Sequence, residues 1–252
     1  NSTDVPRSWI GVPLLLGDGT VRGVLSLQHN EAGRYGERDA AVLDTIANQL
    51  AVAIENSRLY TDTQSRLNEL ALINKIGSLT NSTLDFVEIL KGVYESLRTT
   101  LELNVFYSFV YDPTHGEIVL RVNVEEGKFF IEEQREKLLP NSPSAHVVNA
   151  LEPLVFRDMP QEIEGKYTIK RFGNPDKWVR SWIGVPLKIR DDTAVGMLSV
   201  QHYEPNIYSE REAELLQTIA SQVALAVQNA RLFGDRERQI RELDAISQIG
   251  QL

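Results

Sequence analysis

Apolar and polar residues alternate over two short stretches near the start of the chain, and again over two stretches near residue 180. Residues 7–16 and 21–29 read as strands of period two, and Gly17-Asp18-Gly19-Thr20 between them is a hairpin signal. One face is aliphatic (Ile10, Val12, Leu14, Leu25, Leu27) and the other is mixed (Trp9, Gly11, Pro13, Ser26, Gln28). Past Glu37 the period becomes helical. Leu43, Ile46, Leu50, Ala53, Ile54 and Ser57 form a stripe that Tyr60, Leu67, Leu70 and Ile73 continue. No Pro or Gly interrupts 37–76, which predicts a helix of about 40 residues, or about 60 Å. From about residue 58 the stretch turns polar and keeps one narrow apolar seam, the pattern of a coiled coil. A lone solvated connector is the alternative.

This pattern occurs twice. Arg7-Ser-Trp-Ile-Gly-Val-Pro-Leu14 returns letter for letter at Arg180–Leu187, 173 positions later (180 − 7), and about half of the paired positions stay identical through Leu79/Leu252. In the second copy Ile183, Val185, Leu187, Leu198 and Val200 are the aliphatic face. Trp182, Gly184, Pro186, Met197, Ser199 and Gln201 are the mixed one. Asp191-Asp192 marks the hairpin turn. Ser209 with Glu212 forms a capping box, and Leu216, Ile219, Val223, Val227, Ala230, Ile240, Leu243 and Ile246 repeat the helical stripe. A period of 173 is the length of a domain plus a connector, so the chain reads as one and a half units of a tandem array.

Between the copies, Asn81-Ser82-Thr83 is read as ending the first helix and capping another over 84–101. Strands follow at 104–111 and 118–124, a charged helical or loose stretch at 127–139, a short helix at 144–151 and a short strand at 154–157. A long polar loop spans 158–179. The expected fold class is α+β, with the strand pairs antiparallel.

Composition removes several chemistries. With 26 Lys and Arg against 35 Asp and Glu, the formal charge is −9, which disfavours phosphate backbones and hence nucleic acid. There is no cysteine, so disulfides, thiolate metal sites and thiol nucleophiles are excluded. No apolar run reaches the roughly 20 residues of a membrane span. His29, His115, His146 and His202 show no metal-ligand spacing, and His29 and His202 are expected to be structural, helix-facing residues at strand ends. The acidic pairs Glu125-Glu126 and Glu132-Glu133 are expected to be solvated. No nucleophile elbow, Walker loop or dinucleotide fingerprint is present.

The order of these elements, with Arg180–Leu187, Gly196-Met-Leu-Ser-Val-Gln-His202, Tyr208-Ser-Glu-Arg-Glu and Asn229-Ala-Arg-Leu-Phe233, resembles the GAF domain family. The likeness covers all of the second copy and the C-terminal half of the first. It implies an antiparallel sheet with helices on both faces, an α/β/α sandwich, in a tandem sensor segment of a bacterial signalling protein, such as a sensor histidine kinase. The expected divisions are a C-terminal half-domain at 1–58, a linker helix at 59–80, a complete domain at 81–233 and a further linker at 234–252. The expected role is a non-catalytic, cytoplasmic regulatory module. It would bind an unknown small molecule, dimerise through its linker helices and pass a signal to an output domain outside this sequence. A ligand-free scaffold that aligns a parallel dimer is the alternative. No cofactor is expected. A covalent bilin needs a cysteine, and His202-Tyr203 and Tyr208 depart from the cyclic-nucleotide signature.

The mixed face, which the resemblance places away from the terminal helices, supplies the candidate ligand-binding residues Trp182, Gly184, Ser199 and Gln201. Arg157, Tyr167, Arg171 and Trp178 are added from segments expected to roof it. The competing reading has Ser199 and Gln201 bonding the overlying loop and Trp182 filling the core. The half-copy at 1–58 lacks partners for its aliphatic face. It is expected to be completed by another chain or by residues outside this sequence, or else to compete for strands of the second copy.

Overall fold

A computed structural model describes residues 5–170, 176–189 and 193–249; beyond Phe233 the described side chains are limited to Arg236. The turn Asp191-Asp192, Arg171, and the side chains of Ile240, Leu243 and Ile246 lie outside the described residues. The chain divides into two compact units, Asn1–Leu67 and Asn68–Leu252.

In the first unit, β1 (Ser8–Leu15) and β2 (Val21–His29) form an antiparallel hairpin with Trp9 opposite Gln28, Gly11 opposite Ser26 and Val12 opposite Leu25. At its turn the Asp18 carboxylate accepts from the Thr20 N–H at 2.9 Å. Helix α1 (Glu37–Ser82) begins where the Gly36 N–H donates to the Asp39 carboxylate at 2.9 Å. Its first turns cover the aliphatic face of the hairpin. The core consists of Val12, Leu14, Leu43, Ala47 and Ala51. Of the expected stripe only Leu43 is buried; Ile46, Leu50, Ala53 and Ile54 are exposed, as are Tyr60, Leu67 and Leu70. The hairpin is narrow, so it covers a single row on α1, Leu43, Ala47 and Ala51.

The second unit begins with the last turns of α1, whose Leu72 and Ile76 are buried. The helix runs through Gly77 to Ser82, and the next cap is Asp85 rather than Asn81 or Ser82. Asp85 Oδ1 accepts from the N–H groups of Val87 and Glu88 at 2.9 and 3.2 Å, starting α2 (Phe86–Leu97). Then come β3 (Val105–Asp112), β4 (Glu117–Glu125), β5 (Lys128–Glu132), β6 (Glu136–Lys137), α3 (Pro143–Ala150), β7 (Leu154–Phe156), α4 (Met159–Glu162), β8 (Ser181–Ile189), β9 (Thr193–His202) and α5 (Glu210–Ile249). The sheet order is β5-β4-β3-β9-β8-β7, antiparallel throughout, with β6 also pairing β4.

The stretch 127–139 is therefore two strands, not a helix or a loose segment. Glu126 and Gly127 take positive φ (48° and 83°), which turns the chain back so that Lys128–Glu132 pairs with β4. The charges that suggested a solvated helix are cross-strand partners.

Each face of this sheet carries its own core. On one side Phe106, Ile183, Val185, Leu187, Leu198 and Val200 pack on α2 and on Leu216, Ile219, Val223 and Val227 of α5. On the other, Tyr107, Phe109, Trp182 and Met197 meet α3, Phe156 and Ile163. The Ser209–Glu212 capping box starts α5: the Ser209 N–H donates to the Glu212 carboxylate at 2.8 Å, and Ser209 Oγ accepts from the Arg211 N–H at 3.3 Å. His29 and His202 do not bond a helix. Each Nδ1 accepts from the N–H two residues on, in Glu31 and Glu204, at 3.0 Å, closing the turn after its strand.

Candidate functional site

The second face of the larger sheet is the floor of a cavity of about 160 Å³. Cross-strand register builds that floor in rows. One row runs Asn123, Tyr107, Ser199, Gly184 across β4, β3, β9 and β8. The next runs Glu125, Val105, Gln201, Trp182. The roof comes from Leu138 and Leu139, the start of α3 at Pro143 and Ser144, Met159, Pro160 and Ile163, Thr168 to Lys170, and Lys177 to Val179.

Of the residues expected to contact a ligand, Trp182, Gln201 and Trp178 line this cavity. Trp182 is buried in its floor, whereas Trp178 lies in the roof and is 48% exposed. Gly184 and Ser199 lie in the floor but do not reach the space. The Trp182 indole lies over Gly184, where an added Cβ would stand 2.1 Å from a ring carbon. The room left by the glycine is thus filled by the chain's own tryptophan. Ser199 is fully buried and takes a hydrogen bond from Gln201 Nε2 at 3.1 Å. Arg157 is no part of the roof: its guanidinium reaches outward to the Glu210 carboxylate at 2.9 and 3.1 Å. Tyr167 packs edge-on against His146 and Phe156, with centroids 5.7 Å apart in each case, and lines a separate hollow with Asn141 and Lys166.

Sequence reasoning missed the polar end of the cavity. Arg121, buried on β4, donates to Glu132 and Glu136 at 2.7 Å each and to the Tyr107 hydroxyl at 3.2 Å. Burial opposes the guanidinium's charge, but its carboxylate and Tyr107 partners outweigh that and raise its pKa. Glu136 also accepts from Lys170 at 2.5 Å, and Lys170 first, then Arg121, hold its carboxyl below the ordinary value of 4.5. Burial raises the Tyr107 phenol. At the opposite rim the Tyr203 hydroxyl donates to Glu125 at 2.8 Å; burial first, and this carboxylate second, raise its pKa. Lys177 pairs with Glu126 and sits 5.1 Å from the Tyr203 ring centre. The acidic residues 125, 126 and 132 thus have specific partners. The signal was present in Arg121-Val-Asn-Val-Glu125, where polar residues alternate with valine as on a half-buried strand.

Among the described residues, no three His, Asp or Glu side chains gather as a metal site would require.

The sequence profile described as "GAF domain" matches residues 3–55 and 83–228. Three solved structures are similar in fold. The GAF domain from a phosphoenolpyruvate-protein phosphotransferase of Coxiella burnetii is 22% identical with a TM-score of 0.53, over 67% of this chain and 98% of that one. The corresponding domain from Acinetobacter is 16% identical, TM-score 0.50, over 65% and 94%. A free methionine-R-sulfoxide reductase from Neisseria meningitidis, in complex with its substrate, is 15% identical, TM-score 0.51, over 67% and 93%. No curated protein matches.

Proposed function

The chain belongs to the GAF domain family, and from that premise we propose that it is a sensory module whose second unit binds a small molecule and whose long helices carry the response. The observation that carries this reading is the cavity itself, a roofed space on the sheet face opposite α2 and α5. Its floor strands β8 and β9 pack directly on α5 through their other side chains. An occupant that shifts the floor therefore acts on that helix through contiguous side chains, provided it binds two arrangements unequally.

Pairing of two copies through α1 and α5 is part of the proposal. Tyr60, Leu67 and Leu70 are exposed along α1, an apolar seam on a polar helix, which supports it. A kinase or other output domain, and a cytoplasmic setting, are proposed on the family resemblance alone. No described helix is long and apolar enough to cross a membrane. One structural relative is a methionine sulfoxide reductase. This chain has no cysteine, so thiol-based sulfoxide reduction has no nucleophile here.

The alternative, a ligand-free scaffold, is favoured by one feature: Trp182 over Gly184 and Gln201 on Ser199 satisfy part of the floor internally. Two measurements decide. Native mass spectrometry of freshly purified protein should find a co-purifying small molecule. Because the chain lacks cysteine, Thr63→Cys offers a single spin-label site on exposed α1. Inter-copy label distances should change between loaded and stripped protein. A bound molecule with unchanged distances ends the proposal that the helices transmit, and no measurable inter-copy distance ends the pairing.

A further inference from the structure

The side chains lining the cavity divide into two sets. The charged set is already paired. Arg121 holds Glu132 and Glu136, Lys137 holds Glu117, Lys170 holds Glu136, Lys177 holds Glu126, and Glu125 accepts from Tyr203. The set with hydrogen-bonding capacity left over is electrically neutral. Among the described residues the Asn123 amide and the Ser144 hydroxyl have no partner, and Gln201 commits only its Nε2, leaving its Oε1 open. An amide and a hydroxyl each offer donor and acceptor together. Between these groups the walls are apolar: Ile118, Leu138, Met159, Ile163 and Ile169.

We infer that the cavity takes a compact, uncharged molecule that carries both donors and acceptors, and that it discriminates against ions of either sign. This rests on reading the second unit as ligand-binding and goes further by fixing the ligand's charge class. An anion at the buried end must compete with the two carboxylates that Arg121 already holds. A cation there must compete with Arg121 and Lys170 for Glu136. The Arg121 side chain is only 10% exposed, so drawing a carboxylate from it leaves a buried charge short of its partner beside an apolar wall, the costly way to open an ion pair. A neutral molecule leaves every pair closed and satisfies the amides. The volume of about 160 Å³ suits a single ring with substituents, since a cavity of roughly 150 Å³ admits benzene.

The test uses the whole protein and a fragment set assembled as matched neutral and ionised pairs, nicotinamide with nicotinate and orotamide with orotate among them. Binding is read by ligand-observed NMR and thermal shift at pH 7.5. The neutral member should bind about tenfold or more tighter than its acid. Asn123→Asp and Gln201→Glu keep the side-chain shape and add charge. Both should weaken the neutral members about tenfold while circular dichroism shows each variant still folded at the temperature of the assay. Acids binding as tightly as amides, or neutral binding indifferent to both variants, would overturn the inference and leave the ligand-binding reading standing. Silence across the whole set overturns both.

Discussion

At Gly196 the two copies of the repeat can be compared atom by atom. A Cβ there would stand 2.1 Å from the Phe109 carbonyl oxygen and 2.9 Å from Leu187 Cδ1, and the backbone of β3 cannot withdraw. At the equivalent Gly23 the tightest neighbour is one methyl of Leu14 at 3.3 Å. Gly196→Ala should therefore cost the second unit about 1–3 kcal/mol, as overpacking does, while Gly23→Ala should stay within about 0.5 kcal/mol. Urea unfolding followed by circular dichroism checks both. Glu136 gives a pH dependence. Its folded pKa lies below the ordinary 4.5 because Lys170 and Arg121 favour the carboxylate. Its stabilisation is thus complete above about pH 4.5 and is lost as pH falls through the lower, folded value. The drop in melting temperature between pH 6 and pH 3 should be smaller in Glu136→Gln than in the unmodified protein. An equal drop would place that acid sensitivity elsewhere.

Among the elements, the helical stripe shows what a pattern can and cannot tell. Ile46 and Ile219 occupy equivalent positions in the repeat, yet Ile46 is 48% exposed and Ile219 is fully buried. Periodicity marks the face of a helix that is suited to burial; whether anything lies against it depends on other elements. In the second unit α2 and the floor strands share one core with that face. Ile219→Ala should then destabilise its unit by about 2–5 kcal/mol and Ile46→Ala by less than about 1 kcal/mol. Comparable losses would mean that the first unit's exposed stripe is covered in solution. The strands β8 and β9 and the capping box at Ser209 were legible because alternation and capping are local rules. Strands β5 and β6 were not, because Glu132 and Glu136 read as solvent-facing until β4 brings the Arg121 guanidinium within hydrogen-bonding reach of both.

On the scale of the whole molecule, the duplication at 173 residues made the architecture readable, since a motif seen twice in order is hard to mistake. The binding floor was only half readable. Trp182 and Gln201 come from the repeated hairpin, but Asn123 and Arg121 come from strands that occur once, and the roof comes from loops without period. Arg157 and Tyr167 were expected in the roof because their segments were, and the structure directs one outward and the other into neighbouring aromatics. The placement of the chain's three tryptophans has an optical consequence. Trp9 is 60% exposed, Trp178 48% and Trp182 4%. Iodide should extinguish the emission of the first two and spare the third. A molecule seated under the roof should add Trp178 to the protected fraction and leave Trp9 as quenchable as before. The chain thus carries an intrinsic lamp at the mouth of its cavity, with a second, indifferent one beside which to read it.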